Sequence, residues 1–148
     1  VVLWMNKEVN KKLISISLAL IVGLNIFLSS WFYPQLLQYQ SGSVVGRYIV
    51  DQKIPANKVF FYKFTGSGKS IHFYAKHIIG SIDSLDSAVT GTYLYTSDEG
   101  LQEIRQSGKL HVIEKEGLDY HVTALTGKFL NKKTRDEQCG NYYLVKML

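Results

Sequence analysis

Hydrophobic and polar positions divide the chain at residue 34. Residues 13–33 run twenty-one positions without a charged side chain, whereas beyond Pro34 apolar residues recur only in short bursts between polar and glycine-rich stretches. At about 1.5 Å rise per residue the first run makes roughly 31 Å of helix, the thickness of a bilayer's hydrocarbon core. Gly23, Asn25, Ser15, Ser17, Ser29 and Ser30 are the small or polar interruptions, of the kind that suits close packing against other membrane helices. Trp31, Phe32 and Tyr33 close the run as an interfacial aromatic belt would. Pro34, which has no backbone N–H, should end it. The pattern predicts a transmembrane helix over 13–33.

The second part alternates short strand and helix signals. Residues 35–52 carry Leu36, Leu37, Val44, Val45, Tyr48 and Ile49 at three- and four-residue spacing, one apolar helical face, with Ser41, Gly42 and Ser43 as an interruption and Ser43 as cap of a second piece. Pro55 makes 54–57 a turn. Residues 58–64 form the clearest strand, and 65–70 a Gly/Ser loop. Residues 71–76 read as a short extended piece, 77–82 as a strand, 83–89 as a helical segment and 92–96 as a strand. Ser97 should cap a helix over 98–106 that Gly108 ends. Residues 110–114 and 120–125 read as a hairpin around a turn at 116–119. A polar loop or helix over 127–136 and a last strand over 141–148 complete the chain. The predicted fold class is α/β: one transmembrane helix, then a small single-sheet domain over 34–148 with a mostly parallel centre and an antiparallel edge, 110–125 with 141–148.

Charge sets the expected orientation. Lys7, Lys11 and Lys12 precede the apolar run, opposed only by Glu8, and no Lys or Arg follows until Arg47. By the positive-inside rule, 1–12 is a cytoplasmic flank and 34–148 is extracytoplasmic. A cleaved secretory signal is the competitor. The run exceeds a usual apolar signal core, however, and Ser29, Ser30, Trp31, Phe32 and Tyr33 offer no A-x-A-like cleavage site. Residues 1–5, VVLWM, have two readings that stay open: a short overhang, or the end of a preceding membrane helix in a larger multi-span protein.

Composition then narrows the chemistry. Of the net +5, the domain holds fourteen basic and eleven acidic residues of alternating sign, which forms neither a nucleic-acid stripe nor a polybasic lipid patch. Cys139 is the sole cysteine and reads as a small polar-loop or partly buried residue rather than a nucleophile. Gly66, Ser67, Gly68, Lys69 and Ser70 follow a strand and match the tail of a P-loop, but Lys63 stands where that pattern needs glycine, so a surface turn is the reading. His111 and His121 would face each other across the predicted hairpin near Asp119, two-thirds of a zinc site without a third firm ligand. His72 and His77 lack metal spacing and read as structural or surface residues. Asp83, Asp86, Asp98 and Glu99 sit at helix starts, where capping and the helix dipole account for them. The tyrosines at 62, 93, 95, 142 and 143 fall in strands and read as sheet packing. No catalytic, cofactor-binding or metal-binding residue is assigned.

One stretch carries a resemblance. Tyr33, Pro34, Gln35, Leu36, Leu37, Gln38, Tyr39, Gln40, Ser41, Gly42 and Ser43, followed by Tyr48 and Ile49, resemble the exit from the last membrane helix of bacterial glycosyltransferases of the polytopic GT-C type, the superfamily of protein O-mannosyltransferases and aminoarabinose lipid A transferases. The order downstream is similar as well: Val59, Phe60, Phe61 and Tyr62; then Ser70, Phe73 and Tyr74; a strand and acidic-start helix over 92–106; and Tyr142, Tyr143, Leu144 and Val145. The resemblance implies an extracytoplasmic, non-catalytic C-terminal domain that covers the active site or aids acceptor recognition, in the inner (plasma) membrane. The donor would be a polyprenyl-phosphate-linked sugar held by an upstream membrane bundle of the same protein, and no cofactor is implied. Membrane lipid is the expected partner and nucleic acid is not. The alternative is a free-standing, signal-anchored envelope binding or assembly module.

Overall fold

The computed structural model describes residues 7–66 and 68–148, in two compact units divided between Leu36 and Leu37. The two readings of residues 1–5 fall outside the described residues.

The first unit is the apolar helix. Helix α1 spans Lys7–Phe27, a π-helical turn spans Leu28–Phe32, and α2 spans Tyr33–Leu37. From Val9 to Leu37 the helical path is long and apolar enough to cross a membrane, and none of its most apolar stretch is buried in the protein. A helix apolar all round and uncovered by protein has the surface of one made for lipid. Asn25 donates its side-chain amide to the Ile21 carbonyl at 2.8 Å, which satisfies that donor inside the helix.

Pro34 does not end the helix. The Tyr33 N–H reaches Leu28 O, a five-residue closure, so the wider turn ahead of the proline carries the chain into α2. A proline lacks the donor and its ring crowds the carbonyl four residues back; a π turn relaxes both demands. The break comes later, at residues 38–40.

The second unit is a five-stranded sheet in the order β2-β1-β3-β5-β4, with β1 at Val59–Tyr62, β2 at Gly80–Ser81, β3 at Tyr93–Ser97, β4 at His111–Asp119 and β5 at Gly140–Met147. β1 is parallel to β2 and β3; β5 is antiparallel to β3 and β4. The mixed sheet with a parallel centre and an antiparallel edge is the predicted α/β class. Strand alternation divides two cores. Val59, Phe61, Tyr95 and Leu144 pack with Val45, Ile49, Ile71 and Ala75, from α3 (Ser41–Asp51) and α4 (Lys69–Ala75), on one face. Tyr62, Leu94, Val145 and Met147 pack with Leu101 and Ile104 of α5 (Asp98–Gln106) on the other. A short helix α6, Gly127–Leu130, lies in the connection from β4 to β5.

Three predicted elements differ. Residues 71–76 are helix rather than strand, because Ile71 and Ala75 are buried one turn apart and Gly68 and Lys76, both left-handed, bracket α4. The predicted hairpin of 110–114 with 120–125 does not form. β4 runs straight through 116–119 and pairs with β5 along its length, Glu116 with Tyr143 and Gly117 with Tyr142. Gly117 reads as a turn residue but serves close approach: a Cβ there would stand 3.2 Å from the Ser41 Cβ. Finally, α3 begins at Ser41, with Gln40 rather than Ser43 as its N-cap residue, and Ser43 Oγ donates to the Gln40 side-chain oxygen.

Candidate functional site: a crevice at the ends of the parallel strands

β1 feeds α4 on one face of the sheet and β3 feeds α5 on the other, so the two connections part at the carboxyl ends of adjacent parallel strands. In open α/β sheets that parting is where ligands bind. A crevice of about 460 Å³ lies there, within the range of small-molecule sites. Its walls are the first residues of α3, the β1–α4 loop, and the end of β4 at Asp119 with residues 120–123. The β4–β5 connection that supplies the last wall is long for a compact domain, and such loops are usually functional or disordered. Here Arg135 anchors it. Its guanidinium bonds Phe129 O at 2.8 Å and lies over the rings of Tyr39 and Phe129, and Tyr120 stacks on Phe129 at 3.7 Å. Tyr120 N–H also bonds Tyr39 O at 2.7 Å.

The floor is aromatic. Tyr142 stacks on Tyr95 with centroids 5.5 Å apart, and Phe64 meets Tyr142 edge-on at 5.6 Å. One polar chain crosses it. Asp119 Oδ1 accepts from Ser41 N–H at 2.9 Å and from Ser41 Oγ at 2.8 Å, and Ser41 Oγ lies 2.5 Å from Tyr95 Oη. Ser41 has given its single hydroxyl proton to the carboxylate, so the phenol must donate to Ser41: the relay runs Tyr95, Ser41, Asp119. Asp119 thereby closes the N-terminus of α3 from 78 positions away, and its charge suits the positive end of that helix. Burial pushes the Tyr95 phenol far above its ordinary range, with the Asp119 charge acting in the same direction, so it stays a donor.

The structure disperses the two sequence-derived chemical sites. His111 pairs with Met147 at one end of β4 and Asp119 with Gly140 at the other, about 26 Å apart along an extended strand. His111 Nδ1 instead contacts Lys109 O at 2.9 Å, and His121 Nε2 contacts Thr123 Oγ1 at 2.9 Å. No cluster of metal-ligating side chains exists among the described residues. Gly68, at the end of the β1–α4 loop, and Ser70, in the first turn of α4, line the crevice while Lys69 does not, so the lysine of a P-loop is missing from the cavity wall. His72 is structural, as read: Nδ1 accepts Ile79 N–H at 3.0 Å and the ring packs edge-on to Phe61. His77 is exposed.

Asp98 and Glu99 do open α5, but Asp98 also accepts from Tyr143 OH at 2.8 Å and Asn141 at 3.1 Å. Ser97 makes no side-chain cap; its hydroxyl donates to Lys63 O. Asp86 pairs with Lys109 at 3.5 Å, and Asp83 borders a smaller pocket beside Lys63. Burial raises the Cys139 thiol above its ordinary range, and Asp136 reinforces the shift, an environment for an inert thiol. Sequence reasoning missed the crevice residues Ser41, Thr65 and Thr123, and it assigned Asp119 to the wrong chemistry. The sequence signal that could have marked this close approach by α3 is the Gly42-x-x-x-Gly46 spacing, which was not read.

Compared with known proteins, the chain matches no family model, no curated protein and no solved structure.

Proposed function

We propose that this chain is the terminal membrane helix and extracytoplasmic recognition domain of a lipid-linked sugar transferase in the inner (plasma) membrane. In this role the domain is non-catalytic: it presents the acceptor to, or covers, an active site built by an upstream membrane bundle that holds a polyprenyl-phosphate sugar donor. The observation that carries the reading is the crevice at the parting of β1 and β3, whose wall residue Ser41 follows the apolar helix by only four residues in sequence. The lysines flanking the helix support a cytoplasmic N-terminal side. The relay of Tyr95, Ser41 and Asp119 supports recognition over chemistry, since Asp119 is engaged in closing α3.

The test removes residues 37–148 from the natural protein, keeps the membrane helix, and measures release of polyprenyl phosphate from the sugar donor in membrane vesicles. The expected result is a loss of turnover of at least tenfold. Unchanged turnover, or a parent protein that turns over no such donor, refutes the proposal and leaves the anchored binding module. Reporter fusions after residue 50 should be active outside the cytoplasm, and fusions near Asn10 inside; the opposite pattern refutes the orientation.

A further inference from the structure

We infer that the crevice binds the ring of an uncharged sugar unit, with Tyr142 and Phe64 as the stacking floor and the residues after β4 as the hydrogen-bonding wall. This deepens the recognition role proposed above and rests on it for its biological setting. The argument itself is local. Three properties of the cavity select the ligand.

The first is charge. No lysine or arginine is among the described residues that line the crevice, and its one fixed charge is the Asp119 carboxylate. A phosphate or carboxylate ligand would meet like charge with no lysine or arginine to offset it. The two lysines at the ends of the loop, Lys63 and Lys69, are exposed and outside the cavity. The second property is the mixture of surfaces. Tyr142 and Phe64 are half-buried and line the floor, whereas Thr65, Ser70 and Thr123 bring hydroxyls to the walls. A wholly apolar ligand would strip water from those hydroxyls without replacing their bonds. A sugar ring answers both surfaces, since its C–H face packs on an aromatic ring while its equatorial hydroxyls bond outward.

The third property is preorganisation. Tyr142 is held by stacking on Tyr95, and Tyr95 is held by its bond to Ser41. Ser41 spends its proton on Asp119 Oδ1, and Oδ1 takes both bonds from Ser41. Asp119 lines the crevice, and a carboxylate has acceptor capacity beyond the two bonds that Oδ1 takes. On the wall, His121 and Thr123 already contact each other at 2.9 Å, which orients both. The floor and the acceptor are thus fixed by the same chain of contacts that closes α3, and a rigid site loses little entropy on binding.

The experiment uses the full chain in nanodiscs and saturation-transfer NMR with methyl α-mannopyranoside, methyl β-glucopyranoside and methyl β-galactopyranoside. Cyclohexanol serves as the apolar comparison probe, and inorganic phosphate, which has no C–H proton to receive saturation, as a competitor read by loss of the glycoside signal. At least one glycoside should receive saturation on its ring C–H protons and bind more tightly than cyclohexanol or phosphate. Tyr142→Ala should lower that affinity at least tenfold, and Thr123→Val, on an exposed wall that holds no part of the core, about threefold. Both variants are checked for an unchanged fold by amide chemical shifts away from the crevice.

No transfer to any of the three glycosides overturns the inference. So does transfer that both variants leave unchanged, or phosphate binding more tightly than every glycoside. If Tyr142→Ala fails to fold, Thr123→Val decides alone. Glycoside binding together with donor turnover that survives removal of 37–148 sinks the transferase reading and keeps this one; absent binding with dependent turnover does the reverse.

Discussion

The two faces of the central sheet are covered by different means. On the crevice face, α3 and α4 run side by side with their backbones nearly touching: a Cβ at Gly46 would stand 2.7 Å from Tyr74 Cβ and 3.1 Å from Ile71 O, and one at Gly42 would overlap Ser70 Oγ. That face is then tied to β4 by the Tyr95, Ser41 and Asp119 relay. On the opposite face a single amphipathic helix, α5, buries Leu101 and Ile104 against the sheet, and its polar side is decorated by surface groups: Lys63 pairs with Glu103 at 3.2 Å, and Tyr62 donates to the same carboxylate. The first face has little tolerance for change and a cavity at its end. The second packs one helix on the sheet through side chains and one glycine contact, where a Cβ at Gly100 would overlap Thr96 Oγ1. A binding site needs fixed backbones, and the face that carries the cavity is the one where two helices meet closely at Gly42 and Gly46 and a buried polar relay closes α3.

The sharpest way to break this contrast is to add bulk between the paired helices. Gly46→Leu should destabilise the domain by about 3 kcal/mol, because neither Tyr74 Cβ nor a backbone carbonyl can turn aside. Equilibrium urea unfolding measures it, and a loss below about 1 kcal/mol would mean the helices separate freely. Asp119→Ala comes next, at about 3 kcal/mol or slightly less, since it strips the acceptor from Ser41 N–H and Oγ together, both bonded to a charge. Tyr95→Phe removes one bond at the end of the same relay and should cost about 1 kcal/mol. Combined with Asp119→Ala its cost should shrink, because the relay it terminates is already broken.

The opposite face offers the reverse sign. Thr96 is fully buried and its hydroxyl finds no hydrogen-bond partner among the described residues. Thr96→Val should therefore stabilise the domain by about 1 kcal/mol, as an unsatisfied buried hydroxyl becomes a methyl of similar size. A destabilised Thr96→Val in the same unfolding assay would show that the hydroxyl is bonded and that this face, too, holds a specific polar contact.

How much of this was legible beforehand follows the range of the interactions. The apolar run at 13–33, the strand of Phe60, Phe61 and Tyr62, and the helix over 98–106 rest on local periodicity, and all three formed. Gly117 was misread because a glycine for close packing against Ser41 looks, in sequence, like a glycine for a turn. α4 was misread because seven residues are too few to separate a period of two from one of 3.6. Pro34 was misread because a π turn is set by backbone geometry that no residue type announces. The crevice was invisible, since its walls at residues 41, 65 and 123 meet only when the sheet order is known. Asp119 and Ser41 are 78 positions apart, and nothing short of the topology puts them together.

The smallest effect concerns the surface cluster on the α5 face, and its direction is set by pH. Hydrogen bonds from Tyr62 and then Lys63 hold the Glu103 carboxyl below its ordinary value of 4.5, so its contribution is present above that value and is lost as pH falls through the lower folded one. Burial, then the bond to Glu103, pushes Tyr62 up to about 12 from 10.0, and burial with the bond to Asp98 does the same for Tyr143. Both phenols bind their protons more tightly in the folded state. Their stabilisation is complete below pH 10 and declines as pH rises from 10 towards 12. Tyr95 lies on the crevice face and is raised further by burial, so it belongs to the same alkaline limb. The urea midpoint should be flat across neutral pH and fall at both ends. Tyr143→Phe should flatten the alkaline fall, Tyr62→Phe should flatten both falls because its hydroxyl also holds the Glu103 carboxyl down, and Glu103→Gln should flatten the acid fall and part of the alkaline one. Lys63 sits at φ 48°, a left-handed conformation that costs any residue but glycine. Lys63→Gly should thus be more stable than Lys63→Ala at neutral pH, because both lose the exposed pair to Glu103 while only glycine sheds the strain. Equal midpoints for the two variants would show that the backbone at 63 relaxes once its side chain is gone, and that this face is softer than its opposite.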